Sequence, residues 1–125
     1  MSLILYDHEL DENCYRVRLM LSLLGLPYER RAVDVFPGDG QKGPELLKLN
    51  PAGELPILED GDLVLSEAPA ILAYLARRHD ASGHWLPLDP PRFGAVMRWL
   101  AFASSHLGAA SLARLHAMME VPADG

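Results

Sequence analysis

Apolar residues recur along the chain in runs whose period changes, and each change marks an element. Leu3-Ile-Leu-Tyr6 is a continuous apolar run ending in charge, as a buried strand does. Val17, Met20, Leu21 and Leu24 then fall at i, i+3, i+4 and i+7, a helical stripe. Asn13 or Asp11 can cap its start, and Gly25 followed by Pro27 ends it. Tyr28 to Val35 alternates loosely and predicts a second strand. A Gly-rich loop, Pro37-Gly-Asp-Gly40, precedes a short helix over Pro44 to Leu49, stopped before Pro51. Leu55-Pro-Ile-Leu58 and Leu63-Val-Leu65 flank Glu59-Asp-Gly-Asp62, a hairpin signature with Asp-Gly at the turn. The next helix starts at Ser66-Glu67, tolerates Pro69 in its first turn, and presents Ala68, Ile71, Leu72 and Leu75 as its apolar face. Val96, Trp99, Leu100, Ala103 and Leu107 keep helical spacing within residues 92–118, which predicts a long helix or a helix pair. The order β-α-β-α-β-β-α predicts an α/β sheet covered on both faces, followed by helix. The chain shows no internal repeat.

Composition narrows the class. Half of the 125 residues are hydrophobic and 22% are charged, an ordinary globular balance. A chain of this length buries a core without disulfides or metals. The net charge of −6 argues against non-specific binding to nucleic acid or anionic membranes, both of which require a positive field. Charge is uneven: residues 1–91 hold 8 Lys and Arg against 15 Asp and Glu, whereas residues 92–125 hold 3 against 2. His79-Asp-Ala-Ser-Gly83 and Pro87-Leu-Asp-Pro-Pro91 lie between the two parts and read as a linker. The expected organisation is a unit over 1–80, a linker over 81–91 and a helical region over 92–125. Apolar stretches break before the roughly 20 residues a bilayer span needs. The first twelve residues carry four acids and no Lys or Arg, the reverse of a signal peptide. The single cysteine, Cys14, makes no internal disulfide and suits a reducing compartment. A soluble cytoplasmic protein is expected.

Three segments in order carry a resemblance: Asn13-Cys-Tyr-Arg-Val-Arg18 followed by Leu24-Gly-Leu-Pro-Tyr-Glu29, then Asn50-Pro-Ala-Gly-Glu-Leu-Pro56, then Leu65-Ser-Glu-Ala-Pro-Ala-Ile71. From residue 3 to about 80 the chain resembles the thioredoxin-like N-terminal domain of cytosolic glutathione S-transferases, bacterial members in particular. Residues 91–118 resemble the first helices of that family's all-helical second domain.

The resemblance implies an enzyme that binds glutathione as co-substrate and joins its thiol to a small hydrophobic electrophile. Pro56 matches the family's cis-proline, although Leu-Pro taken alone reads more readily as an ordinary loop proline. Leu55 before it would pair its backbone with the cysteinyl unit, adding a strand to a sheet edge. Glu67 and Ala68 match the Glu-Ser pair that receives the γ-glutamyl end. Glu67 would bind the ammonium or simply complement the helix dipole, and Ala68 keeps the amide but lacks the hydroxyl. Gln41 and Lys42 fall where the family contacts the glycyl carboxylate, or are solvated surface.

The catalytic slot departs from the family. The Ser-x-Asn of serine-type members is Asp11-Glu-Asn13 here, and the Cys-x-x-Cys window of redox relatives places Asp11 and Cys14 at its ends. Asp7, Glu9, Asp11 and Glu12 make the entry loop acidic, and a carboxylate beside a thiol raises the thiol pKa. Activation must then come from first-turn amides, from the Asn13 amide or from Arg16. Asp11 accepts a proton only if its own pKa is raised well above about 4. Cys14, in a first helical turn, is the remaining nucleophile or else a small buried hydrophobe.

The catalytic candidates are thus Asp11, Asn13 and Cys14. Five histidines show no metal-ligand spacing, and no metal is expected. Met97, Trp99, Phe102, Met118 and Met119 read as core or interface, and the resemblance puts the helix after Pro91 beside the second-substrate pocket and a homodimer contact. The apolar positions Val96, Leu100, Leu107, Leu112 and Leu115 predict either a dimer that covers them or a longer chain. Two alternative functions stand beside the transferase: a non-catalytic interaction or dimerisation module, and a glutathione-dependent thiol-disulfide reductase using Cys14.

Overall fold

The computed structural model describes residues 2–119, and the side chains of residues 2–106. The first strand, β1 (Leu3–Asp7), turns Leu3, Leu5 and Asp7 inward and leaves Ile4 and Tyr6 half-buried. It runs parallel to β2 (Tyr28–Ala32) and antiparallel to β3 (Ile57–Asp60), which pairs antiparallel with β4 (Leu63–Ser66). The sheet order is β2-β1-β3-β4. Helices α1 (Glu12–Leu23) and α3 (Ala68–His79) pack together on one face, and α4 (Pro90–Met119) lies against both. The short α2 (Pro44–Leu49) follows a single 3-10 turn over Gly40–Lys42. This is the α/β arrangement followed by helix that the element order predicts, and the thioredoxin-like one that the resemblance implies.

The core lies between the sheet and the α1–α3 pair. Leu5, Val17, Leu21, Leu58, Ile71 and Leu75 are buried there together. Their helical members fall three to four residues apart, which is why the periodicity predicts them. At the end of β1, Asp7 is buried too, its carboxylate held by Arg18 of α1 and Arg30 of β2. Its carbonyl accepts from Val33 N–H at 2.8 Å. The sequence reading counts Asp7 among the acids of an open entry loop, but two arginines pair with it inside the fold.

Several boundaries differ from the sequence expectation. The second strand ends at Ala32 rather than Val35, because Asp34 takes over the backbone: its carbonyl accepts from Gly40 N–H at 2.8 Å and its side chain from Gly38 N–H at 3.3 Å. The peptide Phe36–Pro37 in this loop is cis. The hairpin strands sit two residues later on the β3 side, and Gly61-Asp62, with Gly61 at φ 60°, forms the turn in place of Asp60-Gly61. Leu72 is only half-buried. The final segment is one helix, and it starts at Pro90, inside the expected linker. Asp89 caps it by accepting Arg92 N–H at 3.1 Å, and both prolines sit in the first turn, where a missing N–H costs nothing.

The second sheet face is covered only in part. Tyr6, Glu59 and Arg31 lie on it, the Tyr6 hydroxyl donating to Glu59 at 2.9 Å and accepting from Arg31 at 3.1 Å. An open cavity of about 410 Å³ separates Tyr6 and Arg31 from Pro44 and Leu46 of α2. On α4, Val96 packs against the core, whereas Trp99 and Phe102 are exposed and meet edge to face at 5.7 Å. Of the two readings, core or interface, these two aromatics are not core. Leu107, Leu112, Leu115, Met118 and Met119 have side chains outside the described set.

Candidate functional site

The loop from His8 to Asp11 delivers the chain from β1 into α1. Asp11 is the helix N-cap: its Oδ2 accepts from Cys14 N–H at 2.8 Å and its carbonyl from Tyr15 N–H at 3.0 Å. The choice between Asn13 and Asp11 as cap thus falls on Asp11, satisfying one of the amides a helix start leaves unpaired. Asn13, two residues on, has its Oδ1 held by Arg16 Nη1 at 3.1 Å. The same Arg16 nitrogen lies 3.5 Å from Ser104 Oγ of α4. Burial lowers the Arg16 pKa from its ordinary value and Glu12 opposes this. A guanidinium remains charged all the same.

Cys14 is fully buried, with its Sγ accepting from His8 N–H at 3.4 Å. Burial raises its pKa strongly. The His8 bond works the other way, and the negative charges of Asp11 and Asp7 add to the rise. A thiol held neutral and out of reach is a poor nucleophile. Of the two readings of Cys14, its burial favours the small hydrophobe over the nucleophile.

The turn Asn50-Pro-Ala-Gly53 sets the height of the next strand. Asn50 is buried, donates through Nδ2 to Glu54 O at 2.9 Å and accepts Ala52 N–H at 3.1 Å. Gly53 is buried at φ 68°, a left-handed conformation that suits glycine, and a Cβ there would sit 3.3 Å from Lys42 Cγ. The Leu55–Pro56 peptide is cis. Glu67 has φ 72° and ψ 114°, a sparsely allowed conformation for a residue with a Cβ. Its carbonyl accepts from Ile71 N–H at 3.0 Å, while its exposed carboxylate caps no amide of α3.

These pieces border one cleft made of two adjoining cavities. The smaller, about 30 Å³, is lined by Asn13, Asn50, Glu54, Leu55, Pro56, Glu67 and Ala68. The larger, about 270 Å³, is lined by His8, Asp11, Asn13, Val35, Gln41, Gly53, Glu54 and Leu55. Asn13, Glu54 and Leu55 border both. The candidate residues Asp11, Asn13, Gln41, Leu55, Pro56, Glu67 and Ala68 therefore converge. Cys14 lies beneath, and Lys42 is exposed and outside both linings. Gln41 Nε2 donates to Asp39 at 2.8 Å, and its buried Oε1 has no partner. His8, Val35, Asn50, Gly53 and Glu54 also line the cleft without being site candidates from sequence, although Asn-Pro with Gly three residues on is a turn signal that points to Asn50 and Gly53. Among the described residues, no cluster of His, Cys, Asp and Glu could hold a metal, and no helix is long and apolar enough to cross a membrane.

Comparison with known proteins matches residues 1–77 to the family model for the glutathione S-transferase N-terminal domain. Mouse glutathione S-transferase theta-3 is 34% identical over 107 residues, covering 86% of this chain and 44% of its own. Glutathione S-transferase F13 of Arabidopsis thaliana is 34% identical over 127 residues, all of this chain and 58% of its own. Among solved structures, glutathione transferase E6 from Drosophila melanogaster superposes with a TM-score of 0.79 at 34% identity, over 82% of this chain and 46% of that one. Human glutathione transferase theta-2, in complex with glutathione and an unknown ligand, gives 0.75 at 33% identity, over 83% and 42%. The chain thus spans about half the length of the relatives it matches.

Proposed function

This chain belongs to the glutathione S-transferase family, and from that premise we propose that it binds glutathione in the cleft between α1, Leu55 and α3 and transfers its thiol to a small hydrophobic electrophile. The observation that carries the reading is the convergence of Asn13, Leu55, Pro56, Glu67 and Ala68 on adjoining cavities. Leu55 offers its backbone to the cysteinyl unit as an added strand. Glu67, whose carboxylate caps nothing of its own helix, takes the γ-glutamyl ammonium. The amide of Ala68 and the α3 N-terminus take the α-carboxylate. The sulfur loses its proton to solvent, forms the S–C bond, and the electrophile's leaving group departs with the bonding electrons. Asn13, held by Arg16, supplies the hydrogen bond to the thiolate. The helix after Pro90 borders the electrophile, residues 1–80 form the glutathione-binding unit, and a cytoplasmic homodimer completes the proposal.

One observation favours the non-catalytic reading. Asp11 fills the slot that carries a hydroxyl or thiol in relatives, and its carboxylate occupies the first-turn amide of Cys14. An anion there disfavours a second anion beside it. The burial of Cys14 removes support from the disulfide-reductase alternative.

The test is a calorimetric titration with reduced glutathione, repeated with Glu67→Ala. Saturable one-to-one binding weakened by the substitution supports the glutathione site, and turnover of a model electrophile then separates transferase from module. No binding at millimolar glutathione overturns both glutathione-dependent readings.

A further inference from the structure

We propose that the larger cavity selects a glutathione whose glycyl carboxyl is masked as an amide, above all an amide to a positively charged amine, over the free acid. This rests on the reading of the cleft as a glutathione site. With the γ-glutamyl end at Glu67 and the cysteinyl unit along Leu55, the peptide's remaining end extends past Leu55 into the cavity lined by Gln41, Gly53, Glu54 and Asp11.

A free glycyl carboxylate needs a cation or a set of free donors. The lining of that cavity holds no Lys or Arg; of its eight residues two are carboxylates, Asp11 and Glu54, and one is an imidazole, His8. The Asn13 amide serves the sulfur in this pose, and Gln41 Nε2, the other side-chain amide donor of the lining, is drawn to Asp39, a third carboxylate, at 2.8 Å. The other end of that amide, Oε1, is a buried acceptor with no partner. Gly53 N–H is spent on Asn50 O at 3.0 Å. Lys42, the adjacent cation in sequence, is exposed and runs its stem past the Gly53 Cα. The group this cavity complements is therefore neutral or cationic and donates hydrogen bonds. An amide at the glycyl carbon removes the repelled charge and adds an N–H, and an ammonium beyond it meets Glu54. At about 4 Å in a wet site, each like-charge contact avoided is on the order of 1 kcal/mol, close to fivefold in affinity.

The experiment titrates the chain with three peptides: reduced glutathione, its glycyl primary amide, and glutathione joined through its glycyl carboxyl to one end of a diamine. The expected order of affinity is diamine conjugate, then amide, then free acid, with about fivefold between the first and the last at least. Glu54→Lys should reverse the order, and Lys42→Ala should leave it unchanged. Equal or tighter binding of the free acid overturns the proposal while leaving the glutathione site standing. Loss of free-acid binding alone in Lys42→Ala also overturns it, because Lys42 would then clasp the carboxylate. If none of the three peptides binds, the glutathione reading itself fails and takes this inference with it.

Discussion

Arg16 and Asn13 form a donor–acceptor pair one helical turn apart, Nη1 to Oδ1 at 3.1 Å, at the mouth of the cleft. Holding the oxygen end of the amide leaves Nδ2 as the end without a hydrogen-bond partner among the described residues. An acidic slot at Asp11 thus sits next to a positioned neutral donor backed by a guanidinium. If the thiolate rests on that donor, Asn13→Ala should raise the pKa of bound glutathione by about one unit or more, the worth of one hydrogen bond to a charged group. Arg16→Ala should move it the same way by less. Ultraviolet thiolate absorbance across a pH series reads both. An unchanged pKa in Asn13→Ala removes the asparagine from the mechanism.

Cys14 gives a prediction about alkaline stability. Its pKa is raised above the ordinary value of 9.0 by burial, so the folded chain keeps a proton that the unfolded chain gives up. The stabilisation is fully present below pH 9 and falls as pH rises beyond it. Urea unfolding from pH 8 to 10.5 or so should show that decline, and Cys14→Ala should flatten it. In the native chain a thiol-specific reagent should not label Cys14 until denaturant is added. Rapid labelling of the folded protein would restore it as a candidate nucleophile.

Asp7→Ala should destabilise the chain by about 2–3 kcal/mol in urea unfolding, below the ~3–5 kcal/mol of a fully buried pair. The discount follows from Arg18 and Arg30, whose side chains keep 21% and 40% exposure and so regain water when the carboxylate is lost. A loss within experimental error would mean that solvent replaces the carboxylate completely.

Ala68→Ser restores a hydroxyl at the α3 N-terminus, where the residue is buried at the edge of the smaller cavity. It should tighten glutathione binding about tenfold or more, the range of one hydrogen bond to a charged group. Weaker binding would show that the γ-glutamyl carboxylate lies elsewhere.

What the sequence discloses depends on how local the cause is. The apolar stripes Val17–Leu21 and Ile71–Leu75 predict α1 and α3 because a helix repeats every three to four residues whatever surrounds it. The end of β2 is illegible for the opposite reason: it is set by Asp34 bonding to Gly38 and Gly40, a loop contact with no periodic trace. Asp7 looks like a surface acid until Arg18 and Arg30, 11 and 23 residues away, close on it. In the site, Asn13, Leu55, Pro56, Glu67 and Ala68 are legible through the order of three segments. Glu54 is not, since nothing in its neighbours distinguishes a cavity wall from a solvated loop. Cys14 is read two ways from sequence, and its full burial, which no local pattern announces, favours one of them.

The sheet order leaves β2 with one side unpaired, and its sequence, Tyr-Glu-Arg-Arg-Ala, is what makes that tolerable. Glu29, Arg30 and Arg31 put charges of both signs along the rim, and a second such strand would have to desolvate them to dock. Arg31 is further tied down over the Tyr6 ring at 5.7 Å and to Glu29 at 2.8 Å. The rim therefore acts as a guard against strand-by-strand stacking of separate molecules. The protection belongs to this edge of the sheet; β4, at the opposite edge, carries no such charges.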